Sequence, residues 1–295
     1  VLTPDERAFF AAADPLGYIL FGRNCVDRAQ MRALTDSLRE LSGREDVPIL
    51  IDQEGGRVAR MRPPQWPEFP AGPAFDKLYE LAPSSAIAAA CANAHALALM
   101  LAEVGVNVNC APLLDVRQPE TTPAVGERTF GGDPMRVAAL GRAMLDGMAQ
   151  GGVGGVVKHM PGHGRGVVDS HYELPVVRAS DAELESDIDP FRTLRNAPMA
   201  MTCHVVFEAW DAANPATLSP TVIAEVIRGR IGFDGLLMTD DIDMAALSGT
   251  AGENAGAVGA ATFTTRDPPR PGRDTMRTTA PPSGSQAEIG WAGTV

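Results

Sequence analysis

The sequence predicts an α/β protein built as a parallel (β/α) barrel, and three observations lead to this prediction. Short apolar runs recur along the chain, each followed by polar or glycine residues and then by a helical pattern, as in repeated βα units. Polar residues gather at the carboxyl ends of these runs. The length of 295 residues suits one large α/β domain, because barrels of this class commonly have roughly 250 residues.

Six apolar runs are predicted as strands, with helices between them. The predicted strands are 18–21, 49–52, 106–109, 155–158, 199–202 and 236–239. The clearest predicted helices are 28–41, 84–104, 134–150 and 220–230. The run from Ala86 to Val104 is apolar and about as long as a membrane span, but it contains the polar residues Asn93, His95 and Glu103. We therefore interpret this run as a buried helix.

One stretch at a predicted strand end is especially rich in polar groups. Residues Lys158 to Gly164 are Lys-His-Met-Pro-Gly-His-Gly, and Asp169-Ser170-His171 follows five residues later. A fold does not need such a cluster for its own stability. Loops at the carboxyl ends of parallel barrel strands converge on one mouth, so the stretch predicts the rim of an active site.

Composition and charge exclude some classes of partner. The formal net charge is -12 and no block of Lys or Arg is present, which disfavours binding to nucleic acid. The segment Val1 to Glu6 resembles a capped helix start rather than a secretory leader. We therefore expect a cytoplasmic protein, a monomer, with no membrane partner.

The barrel pattern ends near Gly249. From there to Val295 the chain contains five prolines but no Leu and no Lys, and it has no apolar periodicity. We predict a barrel domain over 1–248 and a disordered tail over 249–295, so that the last strands of an eight-stranded barrel would be missing. The abrupt change suggests a shift of the reading frame near Gly249.

Five segments together resemble the signature blocks of family 3 glycoside hydrolases, in particular the NagZ-type β-N-acetylglucosaminidases (β-hexosaminidases) of bacteria. The segments are 51–60 (Ile-Asp-Gln-Glu-Gly-Gly-Arg-Val-Ala-Arg), 126–130, 158–164, 169–171 and 239–241. The resemblance covers roughly Leu2 to Leu247. It implies a TIM-type barrel that removes terminal, non-reducing N-acetylglucosamine from muropeptide fragments, with retention and without a metal or coenzyme.

The resemblance implies that Asp240 is the nucleophile and forms a covalent glycosyl ester. The strand period of two agrees, because Leu236, Met238 and Asp240 share one face and Asp240 ends that face at the barrel mouth. Asp241 then points away. The alternative interpretation of Asp240 is a helix N-cap directly after the strand.

For the proton donor, residue logic alone favours a second carboxylate, because most glycosidases pair two acidic residues. The resemblance instead implies that His171 donates the proton and that Asp169 is hydrogen-bonded to it. A neighbouring carboxylate orients an imidazole and stabilises its protonated form near neutral pH. The alternative for His171 is a solvent-exposed loop histidine.

Residues that match the sugar-binding positions of the family are Asp52, Arg60, Arg128, Lys158 and His159. Charged groups that bond sugar hydroxyls lose much when a hydroxyl is absent, which gives selectivity. For the two arginines the alternative is a bracing ion pair, with Glu54 and Glu127 as plausible partners.

Other functions also fit parts of the pattern. His159 and His163 are four residues apart and could bind zinc with Asp169 or His171, but that spacing requires a helix, which Pro161 disfavours. Transfer to phosphate would make the protein a β-N-acetylglucosaminide phosphorylase. Attack by the acetamido group of the substrate would make it a substrate-assisted hexosaminidase, and an inactive sugar-binding barrel remains a further alternative.

Overall fold

The computed structural model describes residues 2–248, and the predicted tail 249–295, with the frame shift proposed near Gly249, lies outside the described residues. Within them, a parallel sheet of six strands curls into a half-barrel with helices on its outer side. The order of strands in this sheet is β1-β2-β3-β4-β6-β8. The strands are β1 Tyr18–Leu20, β2 Ile49–Ile51, β3 Val108–Asn109, β4 Gly154–Met160, β5 Val176–Val177, β6 Met199–Thr202, β7 Val206–Phe207 and β8 Leu236–Met238.

The two faces of the sheet carry different apolar clusters, because successive side chains of a strand point to opposite sides. The inner face has a small cluster of Leu50, Val108, Cys110, Val156, Met201 and Met238. The outer face packs in the main core, with residues that include Ile49, Ile51, Val157, Ala200 and Leu237. Leu236 packs against the inner cluster and Leu237 belongs to the outer one, so the predicted alternation on β8 is confirmed.

Helices lie between most of the strands. They are α1 Pro4–Ala13, α2 Arg28–Ser42, α3 Gly72–Leu81, α4 Pro83–Glu103, α5 Pro123–Gly126, α6 Pro134–Gln150, α7 Asp181–Thr193 and a π-helix Val222–Ile231. Side chains cap several of them as the sequence pattern predicts. Thr3 and Glu6 form a capping box at α1, and Gly43 ends α2 with a φ of 65°, a conformation that glycine adopts without steric cost.

Helix α4 is the one that resembles a membrane span by length and composition among the described residues. Its buried positions include Ala90, Ala94 and Leu97, and the helix packs mainly against α6. The absence of a side chain at Gly147 of α6 permits this approach, because a Cβ there would collide with the Cys91 carbonyl oxygen. Part of the apolar surface of α4 is therefore packed against other helices, whereas Leu99 is 55% exposed.

The predicted fold class is confirmed, and the differences are in detail. Strand β4 continues past its predicted end at Lys158 to Met160, so His159 belongs to the strand rather than to the following loop. Helices α3 and α7 were not among those identified from the sequence. Strands β5 and β7, which pair with each other in a separate two-stranded parallel sheet, were not predicted.

Candidate active site

The carboxyl ends of β2 and β4 meet in a buried ion-pair cluster. Lys158, on β4, has a side chain that is only 2% exposed, and its Nζ lies 2.8 Å from Asp52 Oδ1 and 2.8 Å from Glu54 Oε1. Asp52 and Glu54 come directly after β2. The two acidic residues therefore hold one ammonium group between them.

Two arginines extend this cluster on either side. Arg60 Nη2 lies 3.0 Å from Asp52 Oδ2, and Arg128 binds Glu54 with two bonds of 2.9 and 2.6 Å. Both arginines are thus ion-paired, with Arg128 well buried and Arg60 about one third exposed. Of the two partners expected for a bracing ion pair, Glu54 does bind Arg128, whereas Arg60 pairs with Asp52 and Glu127 with Arg57. Contact of either guanidinium with a sugar stays a prediction.

The cluster remains ionised because its charges compensate one another. Burial alone would raise the pKa of Glu54, but Arg128 and Lys158 outweigh it and lower that pKa to about 2. Burial would likewise raise the pKa of Asp52, and Lys158 and Arg60 hold it well below its usual range. The pKa of Lys158 is raised against the effect of burial by Asp52 and Glu54. Preorganised charges of this kind suit the binding of sugar hydroxyls.

A second buried pair orients the imidazole of His159. Its Nδ1 lies 2.7 Å from Asp115 Oδ2, while Asp115 Oδ1 accepts hydrogen bonds from the backbone amides of His159 and His163 at 3.3 and 2.6 Å. Burial opposes ionisation of Asp115, yet His159 and His163 lower its pKa to about 2. An ionised Asp115 accepts a hydrogen bond from the Nδ1–H group, which leaves Nε2 of His159 on the side of Asp240.

Asp240 follows β8 and lies beside that imidazole. Its Oδ2 is 3.9 Å from His159 Nε2, and its side chain is 25% exposed. Burial would raise the pKa of Asp240, but His159, His204, the Asp241 amide and Lys158 together lower it. The carboxylate is therefore ionised and partly accessible at the barrel mouth, which is the state that a nucleophile requires.

The loop after β4 carries the predicted proton donor. His171 Nδ1 lies 2.7 Å from Asp169 Oδ1, and the His171 side chain is 63% exposed. The loop is joined to the chain that follows Asp240, because the Ser170 carbonyl accepts a hydrogen bond of 3.2 Å from the Ala246 amide. His171 therefore has a carboxylate that orients its ring, on a loop bonded to the segment that follows Asp240.

Most of the predicted residues lie at one end of the sheet, as their positions after strands require. Asp52 lies 2.8 Å from Lys158 Nζ, Asp240 lies 3.9 Å from His159 Nε2, and Lys158 and His159 are consecutive residues of β4. The sequence analysis missed Asp115 as a site residue, although its position in the polar group that follows β3 was visible. Its role depends on a partner 44 positions away, so local pattern does not reveal it.

The zinc alternative finds little geometric support in residues 2–248. No group of three or more His, Cys, Asp or Glu side chains in this range could hold a metal ion. Asp115 binds His159 instead, and His163 Nε2 lies 3.3 Å from the Ser170 hydroxyl.

Comparison with known protein families now defines the class of protein. The family model for the glycosyl hydrolase family 3 N terminal domain matches residues 7–262 of the sequence. The chain belongs to this family. It is a glycoside hydrolase of the β-N-acetylhexosaminidase type that acts on carbohydrate.

Individual relatives agree with this assignment. A β-hexosaminidase of Aromatoleum aromaticum is 38% identical over 248 residues, which are 82% of this chain and 68% of that protein. Native NagZ of Neisseria gonorrhoeae superposes with a TM-score of 0.80 at 33% identity, over 90% of this chain and 77% of NagZ. A family 3 β-N-acetylglucosaminidase of Paenibacillus sp. has a TM-score of 0.79 at 35% identity, over 87% of this chain and 49% of its own. The chain thus spans about half to three quarters of these relatives.

Proposed function

We propose that this protein is a retaining exo-β-N-acetylglucosaminidase that acts through a covalent glycosyl-aspartate intermediate. The observation that carries the proposal is the partly exposed Asp240 carboxylate just after β8, which lies 3.9 Å from His159 Nε2. The chain that follows Asp240 is bonded, through the Ala246 amide, to the Ser170 carbonyl of the loop that carries His171 and Asp169. The sugar-binding pocket is formed by Asp52, Lys158 and His159 with their partners.

In the first step, a carboxylate oxygen of Asp240 attacks the anomeric carbon and forms an ester bond. The bond from that carbon to the departing oxygen breaks with its electron pair, and the His171 imidazolium donates its Nε2 proton to this oxygen. Asp169, which accepts from Nδ1, stabilises the charged ring before transfer. The departing group leaves as a neutral alcohol.

In the second step, water attacks the anomeric carbon while neutral His171 takes one of its protons. The ester bond breaks and returns the electron pair to Asp240, and the sugar leaves with its original anomeric configuration. The two displacements at one carbon account for retention. No metal or coenzyme takes part in either step.

As the natural substrate we propose muropeptide fragments with a terminal non-reducing N-acetylglucosamine, which are formed during peptidoglycan recycling. We further propose that the enzyme is a monomer and acts in the cytoplasm. Two facts support the sugar: curated relatives are named β-hexosaminidase, and NagZ of Neisseria gonorrhoeae is described in complex with N-trifluoroacetyl-D-glucosamine. Release of N-acetylglucosamine from muropeptides, compared with chitobiose, tests the substrate. Gel filtration and cell fractionation test the monomer and its location.

The chemistry is tested with the full 295-residue chain and a nitrophenyl N-acetylglucosaminide. We expect Asp240→Ala to abolish turnover, whereas Asp243→Ala, at an exposed position three residues on, retains it. A fluorosugar should trap an ester on the peptide that contains Asp240, as detected by mass spectrometry. Trapping elsewhere, or an active Asp240→Ala enzyme, would refute the mechanism, and phosphate-dependent release of sugar phosphate would indicate phosphorolysis instead.

A further inference from the structure

His204 is a buried histidine next to the proposed nucleophile and outside the set of sugar-binding residues. It lies just after β6, it is 1% exposed, and both of its ring nitrogens have partners. Nδ1 is 2.8 Å from the Thr217 hydroxyl oxygen, and Nε2 is 2.8 Å from the Asp241 carbonyl oxygen. The ring therefore joins the end of β6 to the chain that follows β8.

This connection continues the sheet beyond its last backbone pair. Strands β6 and β8 are paired from Met199 and Leu236 to Met201 and Met238, and the ladder ends there. The catalytic segment after β8 therefore lacks ladder bonds to β6 in the described part of the chain. The His204 side chain supplies a bond at this point instead.

The Asp241 backbone transmits the connection to the nucleophile. Its amide donates a hydrogen bond of 2.8 Å to Asp240 Oδ1, while its carbonyl accepts from His204. One carboxylate oxygen of Asp240 is thereby held, and the other, Oδ2, faces His159 at 3.9 Å. Oδ2 is left as the oxygen that can attack the sugar.

We propose that His204 is a positioning residue that orients the Asp240 carboxylate for attack by holding the Asp241 carbonyl. The inference rests on the proposed role of Asp240 as nucleophile. A carbonyl oxygen only accepts hydrogen bonds, so Nε2 carries the hydrogen and donates it. The position of the Asp241 carbonyl, and through it that of the Asp240 carboxylate, therefore depends on the hydrogen-bond donor at Nε2 of His204.

The surroundings of the ring favour that protonation state. Burial lowers the pKa of His204 although Asp240 and Asp241 oppose the shift, so the ring is neutral with its hydrogen on Nε2. The single hydrogen of the Thr217 hydroxyl can go to the Cys203 carbonyl, 2.9 Å away, or to Nδ1, 2.8 Å away, and a neutral ring with its hydrogen on Nε2 requires the second arrangement. The Thr202 hydroxyl oxygen lies 2.8 Å from the Thr217 oxygen and also holds this side chain in place.

The test compares two amides that differ in reach. In His204→Gln the amide nitrogen occupies roughly the place of Nε2 and can donate a hydrogen bond to the Asp241 carbonyl. The asparagine side chain of His204→Asn is too short to reach that carbonyl. Misplacement of a reacting group by about 1 Å costs on the order of 100-fold in rate. We expect the kcat of His204→Asn to be about 100-fold below that of the unaltered enzyme, with nearly unchanged KM. The kcat of His204→Gln should be at least about tenfold higher than that of His204→Asn.

Equal kcat values for the two amide variants, or a loss that appears in KM alone, would overturn the inference. Should the Asn variant fail to fold, Thr217→Val decides, because it removes the partner of Nδ1 and leaves Nε2 in place. We expect that variant to lose about tenfold in kcat at unchanged KM. A Thr217→Val enzyme with full kcat would contradict the positioning role.

Three controls separate this inference from its foundation. His95→Gln, on α4, should retain the activity of the unaltered enzyme and shows the effect of a remote substitution of the same kind. Binding of N-acetylglucosamine, measured by thermal shift, reports whether each variant keeps a folded pocket. Asp240→Ala is assayed in parallel. If Asp240→Ala is inactive but His204→Asn is fully active, only the positioning role of His204 is refuted. If Asp240→Ala is active, the proposed mechanism itself is refuted.

Discussion

The two halves of the proposed active site are built in opposite ways. The half on strand ends is a buried network in which Lys158 is 2% exposed and bonded to two carboxylates. The half on the loop after β4 is exposed, with the His171 side chain 63% accessible and Asp169 as its ring partner. The proposed function thus places sugar recognition among buried, ion-paired groups and proton transfer at an exposed loop that a leaving group can reach.

The contrast has a physical cause. A buried charge must be paired in the folded state, so each strand-end group contributes to stability as well as to binding. An exposed ion pair contributes little to stability, because water screens it. Substitutions in the first half should therefore affect folding and activity together, and substitutions in the second half should affect activity alone.

The largest effect is expected for Lys158→Met. It leaves Asp52 and Glu54 buried without their shared ammonium group, and breaking a buried pair in this way costs about 3 to 5 kcal/mol of the free energy of unfolding. We also expect kcat/KM for the nitrophenyl glycoside to fall sharply. Urea unfolding and steady-state kinetics measure the two effects. Lys77→Met, at an exposed position of α3, is the control, and equal stability of the two variants would contradict the comparison.

His171→Ala should lower activity without lowering stability. The expected loss in kcat is about 10² to 10⁴-fold for a substrate with a poor leaving group, such as chitobiose, and much smaller for a nitrophenyl glycoside. A good leaving group departs without a proton, which explains the difference. Thermal unfolding should remain that of the unaltered protein. Equal losses on both substrates, with His95→Ala as a fully active control, would exclude His171 as the proton donor.

Acid should destabilise the buried half specifically. Glu54 has its pKa lowered from 4.5 to about 2, so its contribution is complete above pH 4.5 and is lost as pH falls toward 2. Asp115, lowered from 3.8 to about 2, acts in the same direction. We expect the free energy of unfolding to decrease across this window, and less steeply in Glu54→Gln. An equally steep decrease in that variant would show that Glu54 is not the group involved.

The smallest effect is expected for Asp169→Asn. The amide can still accept a hydrogen bond from His171 Nδ1, but it no longer stabilises the imidazolium by charge. We expect kcat for chitobiose to fall by about tenfold, less than the 10² to 10⁴-fold loss typical when the proton donor itself is removed, with thermal stability unchanged. Asp146→Asn, on the exposed side of α6, serves as the control. A loss of stability in Asp169→Asn would remove the distinction between the two halves.

Much of the fold follows from local pattern. Each apolar run that was predicted as a strand is a strand of the six-stranded sheet, and the alternation on β8 places Leu236 inside and Leu237 outside. The boundaries were less accurate. The fourth strand was predicted to end at Lys158, but β4 continues to Met160, since its last residue still pairs with β6 at Thr202. Strand pairing at that position comes from another part of the chain.

By itself, the sequence determined the fold class, the edge of the sheet at which the site lies and the types of charged group found there. Periodicity and motif spacing are local properties, and they can be identified without knowing which elements touch. Only the tertiary structure decided which of these groups pair. Lys158 binds Asp52 across 106 positions, and His204 holds Asp241 across 37. The choice of partners is settled by burial, because a desolvated charge or donor is stable only beside its complement.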